Sequence, residues 1–148
     1  MLTSLRIRNF KAWHDTGRIR LAPLTVIFGA NSAGKSSLGH LLLGLKQTAL
    51  STDRKRALHL DDASSLIDLG TFADCLNGHD LSKTLDFELG WSLQKSMEVK
   101  DPLDGTQRYT GNQIHLTVSL SAGKTGQPEV TSLRYDLRNQ DGVVLDVD

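Results

Sequence analysis

The feature that most constrains this chain is the octapeptide Gly29–Ser36, which reads Gly-Ala-Asn-Ser-Ala-Gly-Lys-Ser. It matches every fixed position of the pattern G-x-x-x-x-G-K-[ST], a phosphate-binding loop. The apolar, β-rich run Leu24–Phe28 precedes the loop, and apolar residues at helical spacing follow it. A buried strand, the loop and a helix, in that order, form the context in which this pattern binds phosphate. We therefore predict a buried strand over 24–28 and a helix over about 35–50.

Each position of the loop has a physical role in this reading. Glycines at 29 and 34 let the main chain approach phosphate groups, and backbone N–H groups at the start of the helix face the anion. Lys35, the candidate catalytic residue, would bridge the β- and γ-phosphates, and the Ser36 hydroxyl would ligate Mg²⁺. The predicted nucleotide-binding residues of the loop are Gly29, Asn31, Ser32, Ala33, Gly34, Lys35, Ser36 and Ser37.

Composition and charge set broad limits. The sequence is 39% hydrophobic and 23% charged, as is usual for a soluble globular protein. It has no apolar run of membrane-spanning length, no secretory signal and a single cysteine, Cys75, so we expect a cytoplasmic protein without a membrane partner.

The charged residues are segregated along the chain. Residues 1–50 hold seven basic residues and one acidic residue, whereas residues 51–148 hold ten basic and sixteen acidic residues. The excess positive charge of the first third suits binding of a polyanion. Arg6 and Arg8, like Arg18 and Arg20, also alternate with apolar residues, and this pattern instead predicts the solvent-exposed faces of two strands.

The second half of the chain has a period of two. Apolar and polar residues alternate from Leu85 to Gln94, from Ile114 to Leu120 and from Leu133 to Arg138. This pattern predicts an antiparallel sheet with one wet face. We divide the chain into strands, loop and helix over 1–50, a loop-rich segment over 51–80 and the sheet over 81–148. The side chains predicted to point inward are Phe87, Leu89, Trp91, Leu116, Val118 and Tyr135.

The first ninety residues resemble a known family. Residues 6–13 (RIRNFKAW) and 21–37 (LAPLTVIFGANSAGKSS) resemble the start of an ABC-type ATPase head, with RecF, the SMC proteins and the OLD-like bacterial AAA ATPases as the nearest groups. Asn31 occupies a loop position that is usually asparagine in this group. The resemblance extends more weakly through 43–48 (LGLKQT) and 67–74 (IDLGTFAD) and covers about residues 3–92.

This resemblance implies a fold, ligands and partners. The implied fold is an α/β P-loop NTPase of the ABC-ATPase-head type, with a mixed sheet around the P-loop helix followed by an antiparallel β subdomain. The implied ligands are ATP and Mg²⁺, with Lys11 beside the nucleotide. The implied partners are a second head, which forms a homodimer around two nucleotides, and DNA or a nuclease effector, in DNA repair or anti-phage defence.

The chain departs from the complete family in the motifs needed for hydrolysis. The nearest Walker B candidate, Val143–Asp148, has no glutamate and follows a glycine turn, so it reads better as a hairpin strand. Leu81-Ser82 matches only the first two residues of the LSGGQ-like signature motif of such heads. Gln47 could be taken for the glutamine of their Q-loop, but it lies within the predicted helix, so a structural role is favoured. We therefore expect the N-terminal portion of one head domain, incomplete for hydrolysis. The alternative is a module in which nucleotide binding drives assembly without turnover.

Other chemistries have weaker support. The five histidines are scattered without metal-ligand spacing, and no guanine-recognition motif of a GTPase is present. A P-loop kinase is disfavoured by the antiparallel second half. Trp13 is favoured as a packing residue, although its position near Lys11 leaves adenine stacking open.

Overall fold

The computed structural model describes residues 1–63, 65–101 and 104–148. Its strands are β1 (Leu2–Phe10), β2 (Trp13–Asp15), β3 (Ile19–Arg20), β4 (Leu85–Lys100), β5 (Arg108–Ala122), β6 (Pro128–Asn139) and β7 (Gly142–Val147). The helices are α1 (Lys35–Leu50) and α2 (Phe72–Cys75), with one 3₁₀ turn at Asn77–His79. The helix predicted after the glycine loop is thus confirmed, as are the strands predicted from alternation in the second half.

The strands form one curled, half-barrel sheet in the order β2-β1-β4-β5-β6-β7, with β3 beside β2 on the free edge of β1. Every strand pair in the described ranges is antiparallel. The long-range pair β1–β4 places Leu5 opposite Leu89 and Ile7 opposite Phe87. The N-terminal strand is therefore joined to a strand that lies about eighty residues later in the chain.

This architecture corrects the predicted fold class. The chain is not an α/β P-loop NTPase with a mixed sheet around the loop helix, because the sheet is antiparallel and mostly built from the second half. The predicted separate β subdomain does not exist either, since β1 pairs directly with β4 in the same sheet. The motif and the alternation each predicted local structure, but they did not indicate that the two halves share one sheet.

The predicted buried strand over 24–28 is also wrong. This segment pairs with none of the strands in the described part of the chain. Its apolar side chains face solvent, with Leu24 81% and Phe28 89% exposed. A strand forms only where a partner offers its backbone hydrogen bonds, and the apolar pattern of 24–28 specifies no partner.

The hydrophobic core lies between the inner face of the sheet, α1 and the segment 57–76. Its fully buried large side chains come from all three parts: Ile7, Phe10, Leu41, Leu69, Phe72, Leu76, Leu85 and Leu120. Gly44 of α1 permits this packing, since a Cβ there would lie 2.7 Å from Leu69 Cδ1. Burial of these side chains is the main favourable contribution to folding.

The predicted inward residues are confirmed on β4 and β5 but not on β6. Phe87, Leu89 and Val118 are buried, and Trp91 and Leu116 are partly buried against the core. Tyr135 is 45% exposed, so its assignment as an inward residue is wrong. Among the strands, β1, β4 and β5 supply the buried residues of the core cluster; Leu137 of β6 is buried but is not part of that cluster.

Gln47 has a structural role in the loop-rich segment. Its amide nitrogen donates to the carbonyl oxygens of His59 and Leu60 (2.6 and 3.3 Å), and its amide oxygen accepts from the N–H groups of Leu66 and Ile67 (3.0 and 3.1 Å). The side chain is buried. A single side chain therefore satisfies four backbone groups and fastens this segment to α1.

Within the described ranges, neither helix has the length and apolar character needed to cross a membrane.

The position of Val118 in the core gives a test of the fold. Val118 is 5% exposed, whereas its cross-strand partner Leu133 is 44% exposed. Val118→Asp should lower the free energy of unfolding by about 4 kcal/mol or more, because it buries an unpaired carboxylate. Leu133→Asp, the matched control, should change stability by less than about 1 kcal/mol. Urea unfolding followed by circular dichroism measures both, and equal losses in the two variants would contradict the assigned core.

Candidate functional site

The glycine loop lies directly before α1, and the two share Gly34 as the helix N-cap. Gly34 adopts φ 79° and ψ 11°, a left-handed conformation that favours glycine. Gly29, Asn31, Ser32 and Ala33 are exposed. The predicted loop residues are thus brought together at one accessible helix end.

Backbone donors are available at this end. The N–H groups of Asn31, Ser32, Gly34, Lys35 and Ser36 form no hydrogen bond with another described residue, whereas those of Ala33 and Ser37 donate to Ala30 and Gly34 carbonyls. No side chain caps α1, and its first turn holds no acidic residue. The positive end of a 16-residue helix is therefore open to an anion.

The three polar side chains after Gly34 have different environments. Lys35 Nζ donates to the carbonyl oxygens of Gly29 and Ala30 (2.9 and 2.6 Å), so the ammonium folds back over the loop. Ser36 is exposed, and Ser37 is buried. A metal ion can therefore reach the Ser36 hydroxyl from solvent, whereas Ser37 lies against the core.

Trp13 connects the loop to the sheet. Its indole Nε1 donates to the Gly34 carbonyl oxygen at 2.9 Å, and its ring packs at the edge of the core. A Cβ on Gly34 would lie 2.8 Å from Ala12 Cβ and 3.0 Å from Trp13 Nε1. Trp13 is thus a packing residue, as predicted, but its contact with the loop was missed. No sequence pattern relates Trp13 to a residue 21 positions later.

The turn between β1 and β2 holds Ala12 and Trp13 in place. Asn9 and Lys11 both have positive φ (57° and 47°), which is uncommon for residues other than glycine. The Lys11 N–H donates to Cys75 O at 2.8 Å, and Asn77 Nδ2 donates to Lys11 O at 2.7 Å. These bonds, one to the last residue of α2 and one from the 3₁₀ turn that follows, stabilise the turn conformation.

Lys11 itself has a contact that the sequence did not predict. Its Nζ donates to the Leu69 carbonyl oxygen at 3.4 Å and lies 5.9 Å from the centre of the Phe10 ring. It belongs to the turn that contacts Gly34, but its ammonium faces the 69–75 segment. Its role beside a nucleotide stays a prediction.

The acidic candidate for Walker B belongs to a hairpin at the other end of the sheet from β1. Residues 143–147 form β7, which pairs with β6 as a hairpin, as predicted. Asp146 accepts a hydrogen bond from Arg134 Nε at 2.8 Å. Four strand spacings separate β7 from β1, which is roughly 19 Å along the sheet. Asp146 is therefore engaged by an arginine within the sheet.

Metal ligands of other types are not assembled in the described part of the chain. No group of three or more His, Cys, Asp or Glu side chains there could hold a metal ion. Burial raises the pKa of the single thiol, Cys75, to about 11, so it is not a thiolate at neutral pH. Within the described part of the chain, these findings leave metal binding at the glycine loop to the Ser36 hydroxyl.

Comparison of the sequence with models of known protein families finds no match, and comparison with curated proteins finds none either.

The close contact at Gly34 predicts a large effect of a single methyl group. Gly34→Ala should destabilise the protein by about 1–3 kcal/mol, because the new Cβ meets Ala12 and Trp13 and alanine disfavours positive φ. Gly39→Ala, within the helix that Gly34 caps, is the matched control, since a Cβ there meets nothing within 4 Å. It should stabilise the protein by about 0.5–1 kcal/mol. Thermal unfolding measures both, and a Gly34→Ala protein as stable as the Gly39→Ala protein would refute the described packing.

Proposed function

We propose that this chain binds ATP with Mg²⁺ through the loop 29–36 and α1. The observation that carries the proposal is a complete G-x-x-x-x-G-K-S sequence whose second glycine caps a 16-residue helix with unpaired N–H groups. Backbone N–H groups, a helix N-terminus and a lysine are the donors that hold β- and γ-phosphates in proteins with this motif.

In the proposed site, each group has a specific task. The unpaired N–H groups of the loop and of the first turn of α1 surround the phosphate oxygens. Lys35 moves from its loop carbonyls to the phosphates, where it neutralises negative charge. The Ser36 hydroxyl supplies one oxygen ligand to Mg²⁺. Trp13 fixes the Gly34 carbonyl and thereby the direction in which the first turn of α1 points.

The wider role we propose is that of an ATP-binding head similar to those of the RecF, SMC and OLD-like ATPases, acting in the cytoplasm in DNA repair or anti-phage defence. Support comes from the motif together with the N-F-K and L-T-x-I-x-G-x-N patterns around it. ATP binding would favour association of two such heads, with DNA or a nuclease as a further partner. The antiparallel sheet is not part of this proposal, which rests on the loop and the sequence around it.

The second candidate function is nucleotide-dependent assembly without turnover. It is favoured by the environment of Asp146, which pairs with Arg134 within the β6–β7 hairpin. Phosphoryl transfer needs an oriented water and a carboxylate near the metal, besides the phosphate cradle. Binding and turnover are therefore tested separately.

The binding test substitutes the two polar side chains of the loop. Lys35→Ala should abolish measurable ATP binding, since a charge-assisted contact of about 3 kcal/mol corresponds to a roughly 150-fold weaker affinity. Ser36→Ala should chiefly remove the dependence of affinity on Mg²⁺. Lys46→Ala, a change of the same charge on an exposed position of α1, should leave the affinity unchanged. Calorimetric titration with ATP measures all three, and unaltered binding by Lys35→Ala would refute the site.

The turnover test uses the purified chain with Lys35→Ala as the blank. We expect phosphate release close to that blank, because the Walker B candidate Asp146 is engaged by Arg134 in the β6–β7 hairpin. A rate well above the blank that is lost in Asp146→Asn would show that β7 contributes a catalytic acid. That result would replace the assembly candidate with a hydrolytic one.

A further inference from the structure

Two arginines on the outer face of the sheet have carboxylate partners. Arg6 donates to both carboxylate oxygens of Asp15 (3.1 and 2.7 Å), and this bond holds the pKa of Asp15 at about 2. Arg8 lies 3.4 Å from Glu88 and 3.9 Å from Asp86. The charges of Arg6 and Arg8 are therefore balanced by neighbouring residues of the same face.

Arg18 and Arg20 differ from them. Both are exposed at the edge strand β3, and neither forms an ion pair with a carboxylate of residues 1–63, 65–101 or 104–148. Arg18 donates to the hydroxyl of Ser4 at 3.4 Å, which leaves most of its five N–H donors free. Two uncompensated guanidinium groups therefore share one edge of the sheet.

These two arginines line an open cleft of about 380 Å³ on the outer face. The other lining residues are all polar: Thr3, Ser4, Ser92, Gln113 and His115. No acidic residue lines this cleft. Its volume falls in the range of sites for small molecules, about 300–1,000 Å³, and its lining offers hydrogen-bond donors from several strands.

Gly90 keeps the centre of this region open. It lies on β4 between Ser4 of β1 and His115 of β5. A Cβ at this position would lie 2.5 Å from Ser4 Oγ and 3.3 Å from His115 Cε1. Any larger side chain at position 90 would therefore displace the serine hydroxyl or the imidazole that line the cleft.

The charges around His115 are positive on balance. A smaller cavity of about 100 Å³ shares Ser4, Arg18 and His115 with the cleft, and its other charged lining residues are two arginines and two carboxylates: Arg6, Arg138, Glu88 and Asp136. Burial, Arg138 and Arg18 lower the pKa of His115, against smaller opposing effects of Asp136 and Glu88. The Nε of Arg138 is buried without a hydrogen-bond partner among the described residues. The surplus N–H groups of these arginines favour an anionic ligand.

We propose that the cleft bounded by Arg18, Arg20 and His115 binds a phosphate group, as a second anion site separate from the glycine loop. Guanidinium groups match the tetrahedral oxygens of phosphate with paired hydrogen bonds. The hydroxyl of Ser4 and the amide of Gln113 add neutral donors. The phosphate comes either from a small phosphorylated molecule or from the backbone of a nucleic acid, and both present the same oxygens.

The experiment uses the full chain carrying Lys35→Ala, so that the glycine loop does not contribute to phosphate binding. Inorganic phosphate is titrated against the ¹⁵N-labelled protein at constant ionic strength, with chloride as the reference anion. Saturable shifts are expected at the amides of Gln113 and His115. Bound phosphate should also raise the pKa of His115, measured from its ring proton, because the anion offsets Arg18 and Arg138.

The variants decide the assignment. Arg18→Gln with Arg20→Gln should weaken phosphate binding at least tenfold, whereas Arg8→Gln, which removes a balanced charge from the same face, should leave it within twofold. An equal effect of the two changes, or shifts that chloride reproduces, would overturn the proposal. Titration with adenosine monophosphate represents a small phosphorylated molecule, and titration with a ten-nucleotide oligothymidylate represents a nucleic-acid backbone. The ligand that binds more tightly identifies the source of the phosphate. Failure of ATP binding at the loop leaves this test intact, because the loop lysine is already removed.

Discussion

The pairing of β1 with β4 is the contact on which the remaining structure depends. It places Leu5 and Ile7 opposite Leu89 and Phe87, which brings the first ten residues against the second half of the chain. The inner face of β1 then contributes Leu5, Ile7 and Phe10 to the core that α1 covers. Its outer face presents Arg6 and Arg8 to carboxylates of β4. Without this long-range pair, neither the core nor the polar face would be complete.

The end of β1 also determines the geometry of the glycine loop. The turn after Phe10 is held by Cys75 and Asn77, and it places Ala12 and Trp13 against Gly34. The start of α1 is thus oriented by the sheet through the Trp13 hydrogen bond. On the other side of the loop, residues 24–28 have no strand partner among the described residues. The loop is therefore supported from the helix and from the turn, and not from the segment that precedes it.

The sheet determines which of the segregated basic residues are paired with acidic residues. The basic first third and the acidic remainder meet where β1 lies beside β4: Glu88 lies near both Arg6 and Arg8 there, and Arg6 also pairs with Asp15 of β2. Arg18 and Arg20 lie one strand further out, and neither forms an ion pair with a described carboxylate. The arginines of β1 are therefore balanced by neighbouring carboxylates, whereas the two arginines at β3 are not. The proposed phosphate cleft follows from that difference in position.

The sequence by itself determined the local structures that a short pattern can encode. Helical spacing after Gly34 predicted α1, alternation predicted the strands of the second half, and the spacing of Gly29, Gly34, Lys35 and Ser36 identified the loop. Only the tertiary structure decided which strands pair and which faces are covered. Residues 24–28 are as apolar as a buried strand, yet they are exposed, because a strand needs a partner that lies elsewhere in the chain. Tyr135 follows the same alternation as Val118 but lies outside the core, since alternation indicates a face and not how far the core extends across the sheet.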